Sequence, residues 1–302
     1  MANLLYPATT GHYTDDKYSP LLEPNLWFNN IWQPGITYTD KYQIGPAGQI
    51  FVHKPGVGTI TPTHPGADFS DAIVQDSLIT LALDKQFNRS RKIYGATLAS
   101  VAYSAAASEM ETAVQEVAKA WTLAGYQAMA KDTAVSVSDN VLTALTGDTI
   151  YDQIVADRQK LVEAGADPDT IIVSPAKYAN LLQAPEFQRT GTIGDNAVAN
   201  GVVGSIAGLT VVEYQSVDSA ITDGDTISGG TGSDITWATG DLMEYVIYDH
   251  NAFSIVTSVE AMRLVEEPTR FVGTLAQVQI VSGFDVTNPA RVLLKYHDAS
   301  AT

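Results

Sequence analysis

The sequence has no cysteine among its 302 residues. Disulfides, thiolate-ligated zinc, iron–sulfur clusters and thiol nucleophiles are therefore excluded, and stability must come from packing or assembly. Positive charge is scarce: 17 Lys and Arg stand against 34 Asp and Glu, a formal net charge of −17. Such a surface repels polyanions, which argues against any sequence-reading grip on nucleic acid. No apolar run approaches the ~20 residues needed to cross a bilayer, so no membrane partner is expected. The opening ANLLYPATTGHYTDD has neither the basic start nor the apolar stretch of a secretory signal.

Reactive signatures are missing as well. His12, His53, His64, His250 and His297 are scattered outside HExxH, HxH or HxE spacing, and no metal site is nominated. GxSxG, Walker and dinucleotide-type GxGxxG patterns do not occur. No catalytic residue and no cofactor follows from them. The acidic pairs Asp15 and Asp16, Glu109 and Glu111, and Glu266 and Glu267 have the chemistry of an acid and a base, but solvated helix ends and faces account for them more simply. Gly229 to Asp234, GGTGSD, matches the start of a calcium-binding nonapeptide. That motif works in stacked copies, and only one is present, so the segment reads as a loop beside Asp223 and Asp225.

What is present is a chain with 45% hydrophobic residues, enough for a substantial core. Residues Met1 to Tyr42 are rich in aromatics and prolines, among them Tyr13, Tyr18, Trp27, Phe28 and Trp32, without helical or strand periodicity. They read as an extended arm whose rings need another surface, either this chain's own domain or a neighbour. From Thr37 to Asp84, strand-like ends flank a centre crowded with Gly and Pro, GPAGQIFVHKPGVGTITPTHPGAD. This predicts a projecting two-stranded excursion with an irregular tip, whose prolines keep it out of a central sheet. Exposed strand edges of that kind call for a partner subunit.

Ser108 to Lys131 predicts a long helix, with Ser108 and Glu111 at capping-box spacing. Met110, Ala113, Val114, Val117, Ala118, Trp121 and Ala124 form its apolar stripe, and Gly125 marks a bend or a close contact. A second helix is expected to start at Asp148, bury Tyr151, Ile154, Val155, Leu161 and Val162, and stop at Gly165. The strand TIIVS then leads to a helix capped by Ser174 with Pro175 at its first position. Gln183 to Asn200 reads as a surface loop, Gly208 as the turn before a strand ending near Tyr214, and Asp218 to Gly240 as an exposed loop. From Asp241 onward the pattern is mainly β.

This order resembles the Hong Kong 97-like major capsid protein of tailed bacteriophages. TIIVSPAKYANLLQAPEF and VVGSIAGLTVVEY are similar to the family's axial-domain passages, and DHNAFSIVTSVEAMRLVEEP with FVGTLAQVQIVSGFDVTNPARVLLKY to its C-terminal return. The resemblance implies an α+β fold made of an N-terminal arm (1–40), an E-loop (41–92), a peripheral domain with the spine helix (93–145) and an axial domain (146–249). Peripheral return strands (250–286) and an axial C-terminal segment (287–302) complete it. It further implies hexamers and pentamers of this chain in an icosahedral shell around double-stranded DNA, assembled in the host cytoplasm. A portal and a separate scaffolding protein are the implied partners, and a decoration protein is left open; an arm that starts almost at Met1 implies that scaffold or a mature chain already processed, and the retained Met1 favours the first. Lys54, at the excursion tip, invites comparison with the lysine–asparagine cross-links of some capsids, although an ordinary exposed lysine explains it. An encapsulin-like nanocompartment shell, a calcium-stabilised extracellular binding protein and an enzyme of unrecognised type remain as alternatives.

Overall fold

The computed structural model describes residues 49–54, 77–94, 105–132, 135–137, 144–185, 204–227, 235–266 and 272–297. The aromatic arm, the tip of the excursion, most of the Gln183–Asn200 segment and GGTGSD lie outside them.

The long helix α1 runs from Ala105 to Ala130. Ser108 therefore lies inside the first turn and does not cap it. The stripe from Met110 to Trp121 is buried as its 3.6-residue period requires, and continues through Tyr126, Met129 and Ala130. Ala124 stands off to one side, half-buried, and the helix passes through the buried Gly125 without interruption.

Strands β1 (Gln49–Lys54) and β2 (Ser77–Ala82) form an antiparallel pair. β3 (Lys85–Tyr94) pairs with β12 (Gly273–Val286), which pairs in turn with β11 (Phe253–Glu266). α1 packs against this three-stranded sheet. Trp121 fastens the layers: its indole Nε1 donates to Ser282 Oγ at 2.5 Å, and its ring lies 5.8 Å from that of Phe284.

A six-stranded mixed sheet has the order β4 (Ser136–Val137), β13 (Val292–His297), β10 (Leu242–Tyr248), β5 (Thr170–Val173), β7 (Leu209–Glu213), β6 (Ser205–Ile206). Its central strands read as nearly continuous apolar runs because both faces are covered. Ile172, Val246, Tyr248, Val292 and Leu294 face the core that holds α1. Ile171, Val173, Ile247 and Leu293 face a second core, under α2 (Ile150–Glu163) and α3 (Pro175–Gln183). α1 thus serves both units, its N-terminal part lying on the three-stranded sheet and its C-terminal part reaching toward the larger one through the Tyr126–Tyr214 ring contact.

Local signals hold well around α3 and β5. Ser174 Oγ accepts from the Lys177 N–H, with Pro175 in the first turn. Gly165 N–H bonds to the Val162 carbonyl and Ala166 N–H to that of Leu161, the paired bonds of a Schellman stop. The β6–β7 hairpin turns on Ala207 and Gly208, both at positive φ (48° and 84°), as a two-residue turn of this hand demands.

Besides the Ser108 cap, three expectations are corrected. α2 is capped at Thr149 rather than Asp148, without a side-chain bond, and its buried residues are Ile150, Ile154, Asp157 and Leu161. Val155 and Val162 are 39% and 46% exposed, because the apolar positions of α2 form two neighbouring stripes and only one meets the core. Asp218–Gly240 is no simple surface loop: it contains the small hairpin β8 (Thr226–Ile227) and β9 (Ile235–Thr236), and buries Ala220, Ile221, Ile227 and Trp237 in the α1 core.

Asp225 ties this region to the end of α1. It accepts from Lys131 Nζ at 2.7 Å and from the Thr222 N–H and hydroxyl at 2.7 and 2.9 Å. Lys131, followed by Thr222, holds the carboxyl down to about 2. Because the folded-state value lies below the ordinary aspartate value of about 3.9, its stabilisation is present above that pH and is lost as pH falls toward about 2. Thermal melts should therefore show Asp225→Asn to be less stable than the parent at pH 6 and the difference to disappear near pH 2. A pH-independent difference would contradict the assignment.

Candidate functional site

The strand pair β1–β2 is the first feature that the core does not need. β1 contains QIFVHK, which the sequence pattern places in the irregular centre of the excursion; Gly48 and Pro55 bracket this strand instead of interrupting it. His53 stands opposite Leu78 and Lys54 opposite Ser77. The pair is joined to the body through β2, which reaches β12. Leu81, 1% exposed, packs with Val256 and Leu83.

Below this join lies Gly283, paired with Val256. A Cβ at that position would sit 2.3 Å from the carbonyl oxygen of Ala82, so only glycine lets the chain cross β12 at this height. The strand pair therefore rests on a shaped seat.

β3 is the second feature, and it carries no apolar signature: KQFNRSRKIY is exposed at most positions. Its arginines bind the carboxylates of α1. Arg91 reaches Glu109 at 2.6 Å and Glu116 at 2.5 Å, and Arg89 reaches the other oxygen of Glu116 at 2.5 Å. The hydrogen bond from Arg91 holds the Glu116 carboxyl below its usual range, against the opposing effect of desolvation. Since the pairs are partly open to solvent, Arg91→Met should cost only about 1 kcal/mol in urea denaturation. That cost should fall as pH drops through the glutamate range, because a depressed carboxyl loses its contribution on protonation.

β3 is an edge strand of its sheet among the described residues. A groove of about 490 Å³ runs along it, lined by Phe87, Arg89, Glu116, Val117 and Ala120. Gln86 and Asn88 complete its lining, and none of these side chains is a nucleophile held beside a base.

The remaining candidates sort as follows. Glu109 is engaged by Arg91, and Glu111 is exposed on α1. Glu266 ends β11, while Glu267, Asp15, Asp16, His12 and His64 lie outside the described residues. Asp223 accepts from Thr239, and Asp225 from Lys131 and Thr222, so the two carboxylates beside GGTGSD already have partners. His297 closes β13.

One grouping has no counterpart in the sequence pattern: Asp169, Asp249 and His250 converge where β10 ends and β5 begins. Their ligand atoms are engaged within the chain. His250 Nδ1 meets Asp169, Arg291 Nη1 donates to Asp249 Oδ2 at 2.8 Å, and the Asn251 N–H donates to Asp249 Oδ1 at 2.9 Å. The cluster works as a clasp holding the 249–252 turn to the Pro289–Arg291 turn and to β5.

Two cores joined by one long helix, a seated strand pair and an open sheet edge define a structural subunit made to pack against other chains. The chain belongs to the phage capsid protein family, whose model matches residues 71–292. It is a major capsid protein, as the resemblance to Hong Kong 97-like capsids implies, and it forms part of the virion capsid.

Solved structures agree in fold. That of Mycobacterium phage Che8 is 16% identical over 87% of this chain and 89% of its own, with a TM-score of 0.64. The capsid structure of the cyanophage P-SCSP1u is 13% identical over 87% and 86%, also with a TM-score of 0.64. The asymmetric unit of the bacteriophage PhiM1 mature capsid is 14% identical over 87% and 84%, with a TM-score of 0.57. No curated protein matches the sequence. The nanocompartment, extracellular-binding and enzymatic alternatives are not favoured by these likenesses.

Proposed function

We propose that this capsid subunit assembles into hexamers and pentamers of an icosahedral shell enclosing double-stranded DNA, without catalysing a reaction. The carrying observation is the seated β1–β2 pair in a chain of the phage capsid family: a projecting strand pair is of little use to a monomer and is a liability in solution. In this reading 41–92 is the E-loop and 1–40 the arm that reaches a neighbour. The peripheral domain comprises 93–145 with its return strands 250–286, and the axial domain 146–249 with 287–302.

The net charge of −17 supports an inner wall to which DNA does not adhere, so that contact with the genome is not sequence-specific. A separate scaffolding protein, a portal and a decoration protein complete the proposed partners, with assembly in the host cytoplasm. Particles purified from the producing cell test this reading. They should contain this chain as the main protein together with nuclease-protected double-stranded DNA. Particles that instead enclose an enzyme and no genome would overturn it.

A further inference from the structure

The second stripe of α2 is left over by the fold. Val155, Arg158 and Val162 are spaced i, i+3, i+7 and so share one helix face, about 100° from the core-facing Ile154, Asp157 and Leu161. Both valines are exposed, although each adjoins a buried core residue, Ile154 and Leu161. Arg158 lies between them, its Nη2 3.7 Å from where a Cβ on Gly208 would stand, so the guanidinium rests against the β6–β7 turn. Its Nε is buried and has no hydrogen-bond partner among the described residues. The residue as a whole is only half-buried, so the accessible part of the side chain is what a partner can reach.

We propose that this face of α2 is a contact between neighbouring copies within a capsomer, with Arg158 receiving a carboxylate from the adjacent copy. The inference rests on the shell reading above. In a ring each copy uses two different surfaces, so the stripe need not face its own equivalent. Charge favours a second copy as the occupant. Among the described residues between 144 and 249, seven acidic side chains are exposed, Asp152 and Glu163 on α2 itself and five elsewhere, whereas Lys160 is the single exposed cation. A copy brought beside α2 therefore presents carboxylates, and a guanidinium between two apolar side chains is suited to bind one in its fork. The stripe spans about 10 Å, so it forms one part of a larger contact.

The absence of native cysteine makes Val155→Cys a unique thiol. Its alkylation by iodoacetamide, a reagent small enough to enter particles, should be rapid in free subunits and at least tenfold slower in assembled shells. Equal rates in both would overturn the inference. So would slow reaction already in the free subunit, which would mean that the chain's own 186–203 segment covers the stripe. In a second arm, Arg158→Glu should melt within a few degrees of the parent as a free subunit yet lower particle yield at least tenfold; unchanged yield would overturn the inference. A parent chain that forms no particles would overturn the shell reading and this contact with it, whereas a parent that assembles with a freely reactive Val155→Cys overturns the contact alone.

Discussion

Lys177→Met is expected to lower the unfolding free energy by roughly 3–5 kcal/mol, because it leaves a buried carboxylate without its counter-charge. Lys177 is 6% exposed, and its Nζ lies 2.5 Å from Glu244 Oε2, a residue with no exposed surface. The ammonium also donates to the Leu145 carbonyl at 3.3 Å, and the Leu145 N–H donates to Glu244 Oε1 at 3.3 Å. The pair therefore pins the 144–149 segment between α3 and β10.

Burial pushes the Glu244 carboxyl above its usual range, and Lys177 pulls it partly back. Without the lysine the carboxyl should rise further and take up a proton on folding. A raised carboxyl favours the folded state at low pH and loses that advantage as pH rises, so the variant should recover stability as pH falls from 8 toward 5. Adding Glu244→Leu should restore most of the loss, since a well-packed apolar pair of similar volume is commonly no worse than a buried ion pair. Urea denaturation at several pH values reads all three effects. A single-variant loss below about 1 kcal/mol would mean that Glu244 is not sustained by Lys177.

Gly283→Val should have the largest effect on assembly. The added Cβ would lie 2.3 Å from the Ala82 carbonyl oxygen and 3.1 Å from its carbon, both backbone atoms that cannot turn aside. The crossing chain must lift from β12, and with it the small apolar contact of Leu81, Val256 and Leu83. Overpacking of this kind costs roughly 1–3 kcal/mol. Because the disturbed contact lies at the base of the strand pair and outside both large cores, the subunit should still fold. Particle yield should nevertheless fall at least tenfold, since β1–β2 would leave its seat at a different angle. Circular dichroism for folding and sedimentation for assembly separate the two effects. A variant that assembles with parental yield would show that the seat does not aim the strand pair.

Periodicity made α1 legible because its stripe meets one continuous core, and capping chemistry marked the start of α3 with Ser174 and Pro175. The same periodicity misread α2. Ile154 and Val155, like Leu161 and Val162, are adjacent apolar pairs, and the pattern alone does not tell which member meets the sheet. β3 had no signal at all, since an exposed edge strand whose arginines bind a helix shows no alternation of polar and apolar residues.

Trp237 and Ile227 were hidden among Gly, Asp, Ser and Thr, whose turn chemistry suggested a solvated loop while two short strands carried the apolar anchors inward. The buried charges were equally unreadable. A register irregularity between Met243 and Tyr245 turns Glu244 and Tyr245 to the same side of the sheet, where Glu244 meets Lys177 and the Tyr245 hydroxyl donates to Asp157 at 2.7 Å. Such pairings join residues far apart in sequence, and no spacing rule connects them. The chemistry-free reading of the histidines and paired carboxylates rested on spacing; the structure adds that Glu109, Asp223, Asp225, Asp249 and His250 are engaged in bonds that hold the fold.

Electron microscopy of the purified chain under assembly conditions, alone and co-expressed with a candidate scaffolding protein, is the most direct test that this is a shell-building subunit. Closed particles of uniform diameter, with subunits resolved in rings of five and six, are the predicted result. A chain that stays monomeric under every condition, or that stops at one small discrete oligomer, would contradict it.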